Sequence, residues 1–462
     1  MLRSLTGLYA LGVLATGMYA CTGREAATDS GGNQGTISGG ARTNGGAGGQ
    51  PATGGSATGG TPGSGNPQAS TTSSGGYTTT GALPASGGVA AGGEAASGGI
   101  AATGGTTLSG PPAVPAVAVA TGDSHSCALL KSGRINCWGN NANGQLGDGT
   151  TTSRSLPGAV LGISDAVAIA AGGDHTCAVL RPGTVQCWGR YLDNSLDAGT
   201  TNLLPVEVLG TSNNAVAVAA GSDHSCALID SGQVLCWGSN SMGQLGNGTS
   251  SNSATGVEVV GITDATALGC GDRHCCAVLH SGLIECWGND SYWQLLAAAV
   301  GFSDLPLQAP FVTGAISVAG GFEHTCALLN SGSVQCWGAD NNGQVGNSTR
   351  TVVEKTPTSV LGITNATFVA AGGNSSCAIV GGSIRCWGQN RLGELGNGTT
   401  SDSSVPTVVL HIDDAVGVAV SSGHACATLS AGWVLCWGAN VDGELGDGTT
   451  INASLPVFAN QP

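Results

Sequence analysis

Residues 172–189 read GGDHTCAVLRPGTVQCWG, and close copies of this stretch recur along most of the chain. The closing Cys-Trp-Gly triplet begins at Cys137, Cys187, Cys236, Cys286, Cys336, Cys386 and Cys436, in successive steps of 50, 49, 50, 50, 50 and 50. A fixed period of this size marks an array of supersecondary units, none of which can bury its apolar face alone. Units start near Ala116, Ala166, Ala215, Ala265, Ala315, Ala366 and Ala415.

In each unit a first cysteine stands shortly before the Cys of the triplet: Cys127 before Cys137, Cys177 before Cys187, Cys226 before Cys236, Cys276 before Cys286, Cys326 before Cys336, Cys377 before Cys386 and Cys426 before Cys436. Apolar and β-branched residues between them flank a Pro-Gly or Ser-Gly turn, the signature of a hairpin. A spacing of ten with a three-residue loop ending on a left-handed glycine, Gly133 in the first unit, sets 129 opposite 135 and 127 opposite 137. The cysteines then share a non-hydrogen-bonded pair, close enough for a disulfide. The sixth unit tests the register: Cys377 and Cys386 are nine apart, and its turn has shortened to Gly381-Gly382. A two-residue loop of the primed type restores the pairing of 377 with 386. Seven pairs of buried free thiols are the alternative, but the compensation favours disulfides.

The runs AGGDHTCAVL, GTVQCWG and NNANGQLGDGT resemble the regulator of chromosome condensation repeat, whose motif is Ala-Gly, His-Ser/Thr, Ala-Leu, Gly, Val, Trp-Gly and Gly-Gln-Leu-Gly. The resemblance covers about residues 113–462 and implies an all-β, seven-bladed β-propeller. The cysteines depart from the eukaryotic pattern and suggest an exported bacterial branch. Each unit reads as four strands: an inner one such as 166–171, the two hairpin strands, and an outer one around Pro205 to Leu209. The turn before the His and the long loop after the Trp then emerge on one face, the hairpin tips and inter-blade links on the other. Leu455 to Phe458 is the expected closing strand.

The charge is −15, and from residue 113 onward ten Lys/Arg face 25 Asp/Glu. That sign disfavours nucleic acid and acidic protein surfaces as partners. At the N-terminus Arg3, an apolar run from Leu5 to Tyr19 and then Ala20-Cys21 resemble a lipoprotein signal with lipid-accepting Cys21. The run is too short for a comfortable membrane helix, and ordinary signal cleavage is the alternative. Seventeen cysteines less Cys21 leave an even number; beyond the hairpin pairs these include Cys270 and Cys275, whose bridging stays open. Residues 22–112 are Gly, Ser, Thr and Ala with scattered Pro, a composition that cannot bury a core. As a flexible coil they would span on the order of 50 Å, a tether between a membrane and the folded part. The domains expected are therefore a signal at 1–21, a disordered linker at 22–112 and the propeller at 113–462.

Six units carry His two residues before the first Cys: His125, His175, His224, His274, His324 and His424. A zinc site needs about four converging ligands, whereas these histidines lie on separate blades, so hydrogen-bonded structural roles are expected and no metal or cofactor. Asn247 and Asn397 in sequons read as turn residues. The Gly-Asp-Gly loops at Asp148 and Asp447 lack the ligand spacing of a calcium loop.

Departures from the repeat are more informative. Asp123, Asp174, Asp223, Asp272 and Glu323 precede the histidines of the first five units, where the last two carry Asn374 and Gly423. They are expected to form an acidic crescent at one mouth of the central channel, beside the aromatics Tyr292, Trp293 and Phe322. The fourth unit's loop places Trp293 where others have Gly144 or Gly243, and the second unit's 190–198 is remodelled with Tyr191. Exposed aromatics with a one-sign field suit a cationic partner. No triad or carboxylate pair stands out, which points to a non-catalytic, monomeric binding module held in a bacterial envelope. Its partner is an unidentified surface protein or a glycan; β-lactamase inhibitor propellers are similar in kind, a carbohydrate-binding or carbohydrate-active propeller is the alternative, and a nuclear exchange factor or chromatin binder is opposed by signal, acidity and cysteines.

Overall fold

In the computed structural model the described residues are 112, 114–190, 201–211, 214–296 and 301–460. Among them the chain forms twenty-eight strands in seven four-stranded antiparallel sheets, each built from strands consecutive in sequence. These are the seven expected blades, and the inner strands begin at the seven alanines that open the units, from Ala116–Thr121 to Ala415–Val420. The outer strand of the second blade is Thr201–Glu207, displaced toward the N-terminus from the expected 205–209. The signal, the linker with Cys21, and Tyr191 lie outside the described residues. Among the described residues no helix is long and apolar enough to cross a membrane.

The hairpin register is the one the cysteine spacing demands: Cys127 faces Cys137 and Leu129 faces Ile135, while in the sixth blade Cys377 faces Cys386 and Val380 faces Ser383. Gly133 takes a φ of 83°, and Gly381 and Gly382 take 59° and 84°, the left-handed pair a primed turn requires. All seven hairpin cysteine pairs are disulfides with Cα atoms 4.0–4.1 Å apart. Cys270 and Cys275 form an eighth bridge across the turn from inner to second strand.

Blades are joined by buried tryptophans. Trp138, Trp188, Trp237, Trp287, Trp337, Trp387 and Trp437 are each at most 1% exposed. Six donate Nε1–H to a main-chain carbonyl of the preceding blade's long loop, as Trp188 does to Gln145 O at 2.8 Å and Trp337 to Gln294 O at 2.8 Å. The same loop inserts Leu146 into a cluster with Trp188, Ile135 and Ile169, between first and second blades. The long loop is thus anchored against the next blade. The Gly-Gln-Leu-Gly segment is a latch, bound through its carbonyl to the next blade.

Closure follows from the same contacts. Trp138 of the first blade donates to Glu444 O of the seventh at 2.7 Å, and Ala116 N donates to Gly432 O at 3.0 Å. Residues 453–458 are simply the outer strand of the seventh blade, paired to Val434–Gly438. The expected closing strand therefore closes nothing: the ring is sealed by lateral packing of first against seventh blade, with Val119 and Cys426 in one cluster.

Candidate functional site at the channel mouth

The turns that build the mouth are held by the histidines. His125 Nε2 lies 2.8 Å from Thr176 Oγ1, His175 Nε2 2.7 Å from Ser225 Oγ, and His424 Nε2 2.7 Å from Ser126 Oγ, each reaching the next blade around the ring. His274 reaches Thr325 and His324 reaches Ser376 in the same way. Thr176 and Ser126 spend their hydroxyl protons on Gln145 O and Glu444 O, at 3.0 and 2.9 Å. They must accept from the imidazole, so the neutral ring carries its proton on Nε2. The sixth blade has Ser375 in place of His, and the seventh has Ala425 in place of the hydroxyl, so both partners of that contact are lost together. Burial holds the rings neutral: His125, His224, His324 and His424 are pushed down to about 3, and His175 and His274 to about 4. Five of the six rings lie on the turn glycine, so tightly that a Cβ on Gly122 would stand 2.2 Å from His125 Cε1, whereas Ser421 takes that place beside His424.

The five acidic residues stand at two offsets from the histidines. Asp123 and Asp272 stand two residues before the His position, and Asp174, Asp223 and Glu323 one residue before. The first set faces the channel with Phe322; a mouth cavity of about 80 Å³ is lined by Asp123, Asp272 and Phe322 among the turn glycines. A wider pocket of about 290 Å³ adds Glu323, Asn341 and Asn374. Asp174 and Asp223 line neither of these cavities, though their charges reach Asp123. Burial, then repulsion from Asp272, Asp174 and Asp223, raises the Asp123 carboxyl against a lowering hydrogen bond from Ser422. Asp223 and Glu323 are also raised, chiefly by burial.

Two cations that the sequence reading passed over share the site. Arg190 Nη2 lies 3.1 Å from Asp174 Oδ2, and Arg273 Nε 3.5 Å from Asp272 Oδ2. Over the five turns together, five carboxylates less two guanidiniums leave a formal charge of −3. Arg190 was legible as part of the remodelled second loop, and Arg273 as the basic residue inside Cys-Gly-Asp-Arg-His-Cys.

Trp293 is not beside the acids. It lies under Lys355, whose Nζ is 4.8 Å from the ring centroid, on the fifth blade's outer strand Val353–Ser359. The glycine it replaces sits against the neighbouring outer strand, as Gly243 does against Asp304, so the position faces the rim. Tyr292 is half-buried and its amide donates to Gln294 Oε1 at 2.8 Å. Of the three aromatics, Phe322 alone lines the mouth cavities. The long-loop acids serve their own loops: Asp148 Oδ1 accepts from Thr150 N and Oγ1 and from Asn141 Nδ2, and Asn247 and Asn397 accept from Thr249 and Thr399.

The family model of the RCC1-like domain matches residues 105–421. Among solved structures, yeast RCC1 (Prp20) bound to Kap60 is 22% identical with a TM-score of 0.58, over 66% of this chain and 78% of that one. Prp20p from Saccharomyces cerevisiae, described with its binding to Gsp1p and histones, gives 22% and 0.59, over 66% and 80%. Human WBSCR16 gives 22% and 0.62, over 68% and 87%. At that identity the likeness is one of fold. Among curated proteins none matches the chain.

Proposed function

The chain belongs to the family of RCC1-like domains, and from that premise we propose that it is a non-catalytic protein-binding propeller whose channel mouth receives a cationic segment of its partner. The observation that carries this reading is the mouth itself: Asp123, Asp272 and Glu323 around Phe322 in one concave pocket. The Asp123 and Glu323 carboxyls, raised by burial and by repulsion from Asp272, are stabilised by an incoming guanidinium or ammonium, and a recessed aromatic supplies apolar contact. Protein partners suit the fold, since the yeast relative is seen bound to Kap60.

The place of work follows from eight disulfides, which persist in oxidising compartments. Cys21 as a lipid-accepting residue and residues 22–112 as a tether would hold the propeller at an envelope surface. The test uses the oxidised full chain as bait for envelope proteins. A basic partner retained by the wild type and lost from a D123N/D272N/E323Q variant supports the reading. Equal retention by both moves the interface off the mouth.

A further inference from the structure

The fourth blade carries a bridge that the repeat does not need. Its hairpin disulfide, Cys276–Cys286, is complete without Cys270 and Cys275, which are joined across the preceding turn. The hairpin cysteines are at most 1% exposed, whereas Cys270 is half-buried and lines both the channel cavity and its mouth. Cys275 is fully buried and occupies the position that is Ser126, Thr176, Ser225, Thr325 and Ser376 in other blades. It therefore receives the inter-blade imidazole: His224 Nε2 is 3.0 Å from Cys275 Sγ. A disulfide sulfur has no proton to give, so Nε2–H is the donor, to a weak acceptor.

We propose that Cys270–Cys275 is a redox-active disulfide opening on the central channel, with His224 as the positioning residue that stabilises the departing Cys275 thiolate, and that its substrate class is a dithiol. The reaction balances without a further reagent. One thiolate of the dithiol attacks the accessible Cys270 Sγ; the bond from Cys270 to Cys275 breaks, and Cys275 leaves as a thiolate onto the His224 N–H. The second thiolate of the dithiol attacks its own sulfur in the mixed disulfide, releasing Cys270. The dithiol ends as a disulfide, having lost two electrons, and its two protons pass to the cysteines.

Two features favour this bridge over the other seven. Attack requires access to one sulfur, which among the eight bridges the half-buried Cys270 provides. The leaving sulfur must be stabilised as an anion, and a charge-assisted hydrogen bond from His224 is stronger to a thiolate than to a disulfide. Reduction also restores the pattern of the repeat: a Cys275 thiol can accept from His224 and donate, as the hydroxyls of Thr176 and Ser126 do in their blades.

The oxidised full chain is titrated with dithiothreitol at a fixed set of potentials, without denaturant, and thiols are trapped by alkylation and located by peptide mass spectrometry. Cys270 and Cys275 should label first and together, at least about tenfold faster than any hairpin cysteine. His224→Gln should shift the reduction equilibrium of this pair about tenfold toward the disulfide, ~30 mV, with the seven hairpin bridges still intact in the map. Should the variant fold poorly, the wild-type order of labelling decides alone. Reduction of Cys270–Cys275 no sooner than the hairpin pairs, or a midpoint unmoved in folded His224→Gln, overturns the proposal.

Discussion

Lowering the pH from 7 to 5 should destabilise this propeller, and the six buried histidines supply the largest part of the effect. Their folded values lie at about 3 to 4, while in the unfolded chain each titrates near 6.5. Between those limits the unfolded state binds the extra protons, so stability falls as pH falls. At pH 5 each histidine costs about 2 kcal/mol relative to pH 7, and six cost about 12 kcal/mol. That equals the whole stability of a typical domain, about 5–15 kcal/mol. Raised carboxylates act in the opposite sense, because the native state binds their protons more tightly. Asp290, pushed up to about 6 by burial, returns about 1.4 kcal/mol over the same interval, and Asp123, Asp223, Glu285, Glu323, Asp340 and Glu444, also raised by burial, offset a further part of the loss. Urea unfolding followed by tryptophan fluorescence at pH 7, 6 and 5, disulfides intact, measures the slope. A His125→Gln variant isolates one site: whatever its stability at pH 7, its loss on going to pH 5 should be about 2 kcal/mol smaller than the wild type's. A loss identical in the two proteins, or stability flat across the interval, would refute the assignment of these rings as buried and neutral.

Two further outcomes follow from the same geometry. Trp337→Ala removes a fully buried ring and its hydrogen bond to Gln294 O, and should cost about 3–5 kcal/mol in urea unfolding; a change under 1 kcal/mol would mean the inter-blade latch contributes little. Cys21→Ser should release the protein from membranes while its unfolding midpoint stays the same, and continued membrane association of the variant would point to another anchor.

The fold was legible because its determinants are local and repeated. The ten-residue cysteine spacing and the compensating loss in the sixth unit specify hairpin register by turn chemistry alone. Relations between blades were less legible. Nothing in a single unit says that Gln145 and Leu146 latch onto Trp188, or that the ring closes through Trp138 and Glu444, because each contact joins residues of different units. A signal for the histidine relay was present in Ser375 and Ala425, which change together in adjacent units, but its meaning needs the neighbour's position. At the mouth, one-residue offsets shift position: Asp272 lines both cavities, whereas Glu323, one residue further along its turn, lines only the wider one. Trp293 was misplaced because a loop residue was assigned by the face its strand ends on, while the latch carries it outward to Lys355.

The claim that the mouth is a receptor for a cationic segment is tested most directly with a defined probe. Fluorescence anisotropy of a labelled arginine-rich peptide against the oxidised full chain should show saturable binding that weakens as salt rises. D123N/D272N/E323Q should lower the affinity at least about tenfold, and Phe322→Ala by about 2 kcal/mol, with both variants unfolding as the wild type does. Binding that is equal in wild type and triple variant, or insensitive to salt, would contradict the account.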